Sequence, residues 1–351
     1  MRRKSREVKI GNVKIGGNNP IAIQSMTTTD TTNINATVKQ ILELEEIGCD
    51  IIRVSAPTME AAKSLKEIKA NINLPLIADI HFDYRIALEA AKYVDKLRIN
   101  PGNIGKEDRV KAVVDAAKEY GLPMRIGVNL GSLERDLFEK YGYSAEGMAE
   151  SALRHVKILE NLDFYDIVVS LKASDVPRMV QAYRIFAQKK DYPLHLGVTE
   201  AGSKVPGAVK SSMGMGILLS EGIGDTIRVS LSEEPKEEVR VAKLILRSLG
   251  LRNDGVEVTS CPTCARTHVD VIKMVEELEQ KTEKIKKPIH VAVMGCAVNG
   301  PGESKKVDLG IVGGAGNTNL LYKDGKIIGK VEKEKIVETL MKEIDRMVNS
   351  S

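Results

Sequence analysis

The sequence predicts an α/β fold, an N-terminal (β/α)8 TIM barrel followed by a smaller α+β domain, on three observations. Eight short apolar, β-branched runs recur over roughly the first 250 residues, each followed by apolar residues at helical spacing. Polar side chains gather at the C-terminal end of strand after strand, which is where barrel enzymes build their sites. Three of the four cysteines fall beyond the last repeat.

The strand candidates are Pro20–Gln24, Ile51–Ser55, Pro75–Ile80, Lys96–Asn100, Met124–Asn129, Asp166–Lys172, Pro193–Thr199 and Asp225–Leu231. Intervening stretches such as DYRIALEAAKYV and EEVRVAKLILRSLG carry the helical pattern. An open doubly wound sheet shares this alternation but usually has fewer repeats, so the barrel is preferred. Ahead of it, REVKIGNVKIGG alternates on both sides of Gly11-Asn12 and reads as a β-hairpin capping the barrel floor. The expected domains are residues 1–250, with the hairpin in 1–18, and residues 256–351.

Composition sets bounds. Of 351 residues, 42% are hydrophobic and 28% charged, enough for a large core, and with 4% aromatics and no Trp that core must be aliphatic. A net charge of +4 is too small for this length to argue for nucleic acid, and few aromatics are present to stack on bases. The start, MRRKSREVKIG, lacks the apolar segment of a secretory signal, and no run approaches membrane-spanning length. A cytoplasmic protein without a membrane partner is expected, in which cysteines serve metal binding or catalysis rather than disulfides.

The strand ends are rich in chemistry. They offer Arg53 and Ser55, Asp79 and His81, Arg98 and Asn100, Arg125 and Asn129, Lys172, Glu200, and Arg228 and Ser230. A lone Arg near a strand end is more often solvated or salt-bridged than a ligand. Four arginines and a lysine converging on one mouth outnumber the nearby carboxylates, and a bound polyanion would offset the excess. Each close Arg–phosphate contact is worth ~4 kcal/mol at an effective dielectric near 20, before desolvation, and guanidinium grips phosphate bidentately. A phosphorylated or diphosphorylated small molecule is the expected substrate. His81 alone reads equally as a hydrogen-bonder or a catalyst, with no second His at metal spacing. Glu200, beside the Gly-rich AGSKVPG, is the better proton mover.

Cys261 and Cys264 form CPTC, and Cys296 lies in MGCAVNGPGE. Structural zinc would want a fourth ligand such as His268 or His290. A [4Fe–4S] cluster suits thiolates on a turn and a Gly-rich loop, and three thiolates leave one iron for another ligand, which Glu303 could supply. The cluster is preferred, zinc follows, and unligated thiols come last. Cys49, just before a buried strand, reads as a small buried hydrophobe. The rival function is a non-redox, aldolase-like barrel enzyme on a phosphorylated sugar, with Lys172 as Schiff-base lysine and a structural zinc tail. A zinc-ribbon RNA- or ligand-binding module is a weaker rival.

Together, IADIHFDYRIAL, LRINPGNIG, RIGVNLGSLE, SLKASDV, HLGVTEAG, LLSEGIGDTIRVSL, CPTCART and MGCAVNGPGE resemble the 4-hydroxy-3-methylbut-2-enyl diphosphate synthase family, in its shorter bacterial form, over nearly the whole chain. The resemblance implies two-electron reduction of 2-C-methyl-D-erythritol 2,4-cyclodiphosphate through a [4Fe–4S] cluster, fed by ferredoxin or flavodoxin. It implies Cys261, Cys264, Cys296 and Glu303 as cluster ligands, and Glu200 as the acid. It assigns the diphosphate to Arg53, Arg98, Arg125, Lys172 and Ser230, with Asn100, Asn129 and Arg228 alongside and Asp79 and His81 as further contacts. Ala265 and Leu130 depart from the residues common in relatives, which bears only on local backbone geometry.

A head-to-tail homodimer is also expected. The last barrel helix, near Glu233–Gly250, ends at the barrel floor, and a linker from Leu251 to Val258 reaches at most ~28 Å. In the second domain, a helix follows CPTCART, strands are expected at HVAVMG, VDLGIVGG and NLLYKDGKIIGKV, and the amphipathic EKEKIVETLMKEIDRMV should pack on its own sheet.

Overall fold

The computed structural model describes residues 2–100, 104, 105 and 107–350, so Pro101, Gly102 and Asn103 of the LRINPGNIG motif lie outside the described residues. The chain forms two compact units, Met1–Arg252 and Asn253–Ser351. No helix among the described residues is long and apolar enough to cross a membrane.

The first unit opens with the hairpin β1 (Val8–Ile10) and β2 (Val13–Ile15), antiparallel, turning at Gly11 with φ +57°. The left-handed φ explains the glycine. Eight parallel strands follow: β3 (Ala22–Met26), β4 (Ile51–Ser55), β5 (Leu76–Asp79), β6 (Lys96–Ile99), β7 (Met124–Asn129), β8 (Ile167–Lys172), β9 (His195–Leu196) and β10 (Thr226–Ile227). Their order is β8-β7-β6-β5-β4-β3-β10-β9, and a parallel bridge from Val169 to Leu194 joins the two outer strands. The barrel reading is borne out.

Strand bounds differ in instructive ways. The first strand starts two residues late, and those after Pro75 and Pro193 also begin beyond the proline, which has no N–H for a ladder. The last two are only two residues each, although the Arg228 N–H still donates to the Leu196 carbonyl at 3.0 Å.

The helices between are α1 (Ile34–Glu46), α2 (Met59–Ala70), α3 (Tyr84–Ala90), α4 (Glu107–Glu119), α5 (Arg135–Tyr141), α6 (Ala145–Glu160), α7 (Val176–Lys189), α8 (Lys204–Ser220) and α9 (Pro235–Ser248). Several start on side-chain caps: Thr58 accepts from Ala61 N–H, Asp83 from Arg85, Ser144 from Gly147 and Asp175 from Arg178.

Following the strand register around the barrel stacks the inward positions in rings of four. From the floor upward one ring holds Ile51, Lys96, Val168 and Thr226, and the next Gln24, Ile77, Arg125 and His195. Above these come Arg53, Arg98, Ser170 and Arg228, then Met26, Asp79, Gly127 and Gly197. At the floor Ala22, Ile51, Ile77 and Val168 form one apolar cluster with Val8, Ile10 and Ile15, so the hairpin does close the barrel floor. A barrel interior is ordinarily filled by branched aliphatics; here its middle is polar.

The second unit orders its strands β11 (Val256–Ser260), β12 (Ile289–Met294), β13 (Leu309–Val312), β14 (Asn319–Lys323) and β15 (Lys326–Val331), the first three parallel and the last two antiparallel. Its helices are α10 (Val271–Thr282), α11 (Gly300–Ser304) and α12 (Ile336–Asn349). Asp324 and Gly325 both take positive φ and close the β14–β15 hairpin. Buried Leu340 and Ile344 place α12 in the unit's own core, as expected. One reading is corrected: the stretch taken as a linker to Val258 contains β11, whose alternating, half-exposed VEVTS is paired along its length with β12.

Candidate active site

Asp79, at the end of β5, is the hub of the barrel mouth. Its Oδ1 lies 3.0 Å from Arg98 Nη1, and its Oδ2 3.7 Å from Arg53 Nε and 3.5 Å from His81 Nε2. Burial pushes the Asp79 carboxyl up, but Arg53, His81, Arg98 and Arg125 together overcome it and hold the group well below the usual carboxylate range. The structure thus brings Arg53, Asp79, His81 and Arg98 into one network, with His81 half exposed at its outer edge.

The cations outnumber what Asp79 can serve. Burial is the main force lowering Arg53, opposed by Asp79 and aided by Arg228 and Arg98, and it ends at about 9, still cationic at neutral pH. Arg53 also donates to Met26 Sδ at 2.8 Å. Arg125, 2% exposed, leaves Nε and Nη1 without a hydrogen-bond partner. Burial, reinforced by Arg125 and Arg228, drives the Lys172 amine well below its ordinary value. Arg228 faces Glu238 of α9 at 3.6 Å, and Glu238 also accepts the Leu231 N–H at 3.0 Å. Burial raises the Glu238 carboxyl against the pull of Arg228. Asn100 follows β6 and is buried, Asn129 ends β7, and Ser230 lies two residues beyond Arg228, both half-buried. Glu200 is exposed and sits at φ +47°, a left-handed backbone that a non-glycine adopts at a cost of ~1–2 kcal/mol.

Two glycines make room for these groups. A Cβ on Gly127 would stand 3.0 Å from Arg98 Nη2, and one on Gly197 would stand 2.7 Å from Lys172 Nζ and 2.6 Å from the Arg228 carbonyl oxygen. Glu238, Gly127, Gly197 and the buried Gln24, Lys96 and His195 are not among the site residues read from the sequence. The signal for the three polar ones was period-two alternation: Lys96 and Arg98 lie on one face of one strand.

In the second unit, parallel pairing sets Ser260 opposite Val293, so Cys261 and Cys296 both follow the C-terminal end of the parallel strands. The Gly295 N–H donates to Cys261 Sγ at 3.2 Å. Cys264 sits exposed in the intervening turn, and its thiol is lowered chiefly by the Arg266 N–H, with the Arg266 charge helping. Glu303, on α11, pairs with Lys306 Nζ at 3.1 Å. Among the described residues no three His, Cys, Asp or Glu side chains are placed to hold a metal ion together. The donor chemistry nonetheless fits iron and sulfide: all three thiols are free, one has a lowered pKa, and one already accepts the backbone N–H bond that supports cluster sulfurs. Of the zinc candidates, His290 is removed, because it lies near the start of β12, at the opposite end from Cys296, and faces Thr259 and Glu257. Cys49 is buried, with its thiol pushed up to about 12 by burial.

Comparison with known proteins gives the same division of the chain. A family model for the GcpE TIM-barrel domain matches residues 5–243, and one for the GcpE protein C-terminal domain matches residues 257–346. The 4-hydroxy-3-methylbut-2-en-1-yl diphosphate synthase (flavodoxin) of Caldanaerobacter subterraneus subsp. tengcongensis is 59% identical over 350 residues, covering 99% of this chain and 98% of that protein. The same-named protein of Geobacillus thermodenitrificans is 57% identical, covering 99% and 93%. Among solved structures, the dihydropteroate synthase of Yersinia pestis is similar with a TM-score of 0.50 at 11% identity, over 70% of this chain and 98% of that one. That of Stenotrophomonas maltophilia gives 0.51 at 12%, over 71% and 100%, and both likenesses concern the barrel fold alone. None of these relatives supports the aldolase-like alternative. The chain belongs to the 4-hydroxy-3-methylbut-2-en-1-yl diphosphate synthase (flavodoxin) family.

Proposed function

We propose that the chain carries out the reaction for which its relatives are named. 2-C-Methyl-D-erythritol 2,4-cyclodiphosphate is opened and dehydroxylated to (E)-4-hydroxy-3-methylbut-2-enyl diphosphate and water, with two electrons from reduced flavodoxin, ferredoxin being the other candidate donor. The observation that carries this reading is the polar barrel interior, where Arg53, Arg98, Arg125, Lys172 and Arg228 face two carboxylates, Asp79 and Glu238. A diphosphate supplies the missing negative charge.

Arg53, Arg98, Arg125, Lys172 and Ser230 bind that diphosphate, with Asn100, Asn129 and Arg228 beside them. Their charge also favours the negative charge that gathers on phosphate as the ring C–O bond breaks. Asp79 orients Arg53 and Arg98 and, with His81, offers polar contacts to the sugar carbons' oxygens. Glu200, exposed above the mouth, delivers the proton that leaves in water. A [4Fe–4S] cluster held by Cys261, Cys264, Cys296 and Glu303 would supply the two electrons one at a time. The working assembly is a head-to-tail homodimer: α9 ends at Ser248 on the floor side, and only a short connection precedes β11 at Val256.

The test is chemical analysis with variants. Anaerobically purified protein should contain iron and acid-labile sulfide, and Cys296→Ser should lose both. Glu200→Gln should keep iron, sulfide and substrate binding while turnover stops. Tightly held zinc without iron in the unmodified protein rejects the reading, and full turnover in Glu200→Gln removes Glu200 from the proton-delivering role.

A further inference from the structure

The lower rings of the barrel carry polar atoms that the diphosphate reading leaves unused. Lys96 is fully buried and its Nζ has no hydrogen-bond partner. Gln24, 2% exposed, leaves both Nε2 and Oε1 unpartnered. His195 is fully buried with Nδ1 2.7 Å from Thr226 Oγ1, and its Nε2 is unpartnered. Arg125 adds Nε and Nη1. By register, Lys96 and Thr226 share one ring, while Gln24, Arg125 and His195 share the ring directly above it.

A buried polar atom that nothing meets is destabilising, so four residues wanting a partner in two adjacent rings point to one shared ligand. Its sign follows from the neighbours. Neither ring contains a carboxylate; Asp79 is two rings above and engaged by Arg53, Arg98 and His81, and Glu238 faces Arg228. Its size follows from the walls. Ile51, Ile77 and Val168 complete the same rings and belong to the apolar floor cluster. A phosphate needs donors on every oxygen, and the apolar side would leave some bare, whereas a spherical monovalent ion tolerates a one-sided set of donors.

We propose that the barrel holds an inner anion site, below and separate from the diphosphate mouth, in which Lys96 Nζ, Gln24 Nε2, Arg125 and His195 Nε2 bind a small inorganic anion of the halide class. In that arrangement Thr226 donates its hydroxyl to His195 Nδ1, which leaves Nε2 carrying the proton aimed at the ion. The ion shields Arg125 from Lys96 beneath it, leaving the remaining face of the guanidinium to the substrate.

Crystals of the anaerobically purified full-length enzyme soaked in sodium bromide, with data at the bromine edge, should show an anomalous peak in hydrogen-bond reach of Lys96 Nζ. The melting temperature should be higher in bromide or chloride than in acetate of equal ionic strength, and Lys96→Met should abolish that difference. Gln24→Leu carries the same comparison should Lys96→Met not fold. Inorganic pyrophosphate added to the bromide crystals should fill the mouth and leave the inner peak in place. Pyrophosphate displacing bromide from the inner rings would assign those donors to the substrate and overturn the separate site. A peak without a halide-specific melting shift means an adventitious ion only; that outcome, the absence of a peak, or a shift that survives in both variants also rejects the proposal.

Discussion

Asp79 shows how one carboxylate can organise a mouth of cations. It sits within 3.7 Å of Arg53 and 3.0 Å of Arg98, all three nearly buried, so Asp79→Asn leaves two guanidinium groups without a counter-charge. Breaking a buried pair in this way costs about 3–5 kcal/mol. The pH dependence has a definite sign: the folded-state pKa is depressed, so the contribution is complete above the ordinary aspartate pKa of ~3.9 and fades as pH falls below it. Denaturation from pH 7 down to pH 3 should show the Asn variant's deficit constant at first and closing in acid. Lys96 runs the other way. Burial, then Arg125 and Arg53, hold its amine well below the ordinary lysine value, so between its folded-state and unfolded-state pKa the unfolded chain binds more protons than the folded one. Stability therefore rises with pH until ~10.4. In halide-free buffer Lys96→Met should melt higher than the parent at pH 7, the gap narrowing as pH approaches that value; a lower melting point at pH 7 contradicts this.

At the scale of elements, glycines decide what the strands can carry. Gly197 continues β9 inward, where a methyl group would press on the Arg228 carbonyl as well as on Lys172, and a backbone carbonyl yields less readily than the end of a side chain. The three atoms nearest a Cβ on Gly127 all belong to the Arg98 guanidinium, from 3.0 Å. Gly197→Ala should thus lower kcat/KM by roughly 10- to 100-fold, about 1.4–2.7 kcal/mol, mostly through KM, and Gly127→Ala should lower it less; equal effects would mean that backbone contact is not what matters. The same elements show what could be read without coordinates. Five of the eight strands lie within one residue of their predicted bounds because β-branched runs between polar helices leave little choice. The mouth residues were legible because they end strands. Lys96 and His195 were not, because a polar residue early in a strand looks like a solvated strand start, and only the register turns it toward the axis. Gln24 closes the predicted strand, whereas the strand runs on to Met26 and sets Gln24 at mid-strand, deep in the barrel. The half-exposed β11 lacked the buried run that marks a parallel strand. The cysteine spacing was legible, but which thiols share one end of the sheet depends on the pairing of β11 with β12.

At the scale of the molecule, the two units, Met1–Arg252 and Asn253–Ser351, hold complementary halves of one proposed chemistry: proton and diphosphate handling in the first, electron delivery in the second. Whether a chain serves its own mouth or its partner's can be read from mixed dimers. Glu200→Gln leaves the second unit competent and the first dead, and Cys296→Ser does the reverse. Each variant alone is inactive under either arrangement. If a chain served itself, every site in a mixture would keep one defect and activity would stay at zero. With sites shared between chains, a mixed dimer has one site with both defects and one with neither. Random exchange of equal amounts makes half the dimers mixed, so activity should recover to about a quarter of the parent's. Subunit exchange is verified by tagging one variant and recovering the other with it; complete inactivity after verified exchange excludes the head-to-tail assembly while leaving the site residues and the reaction untouched.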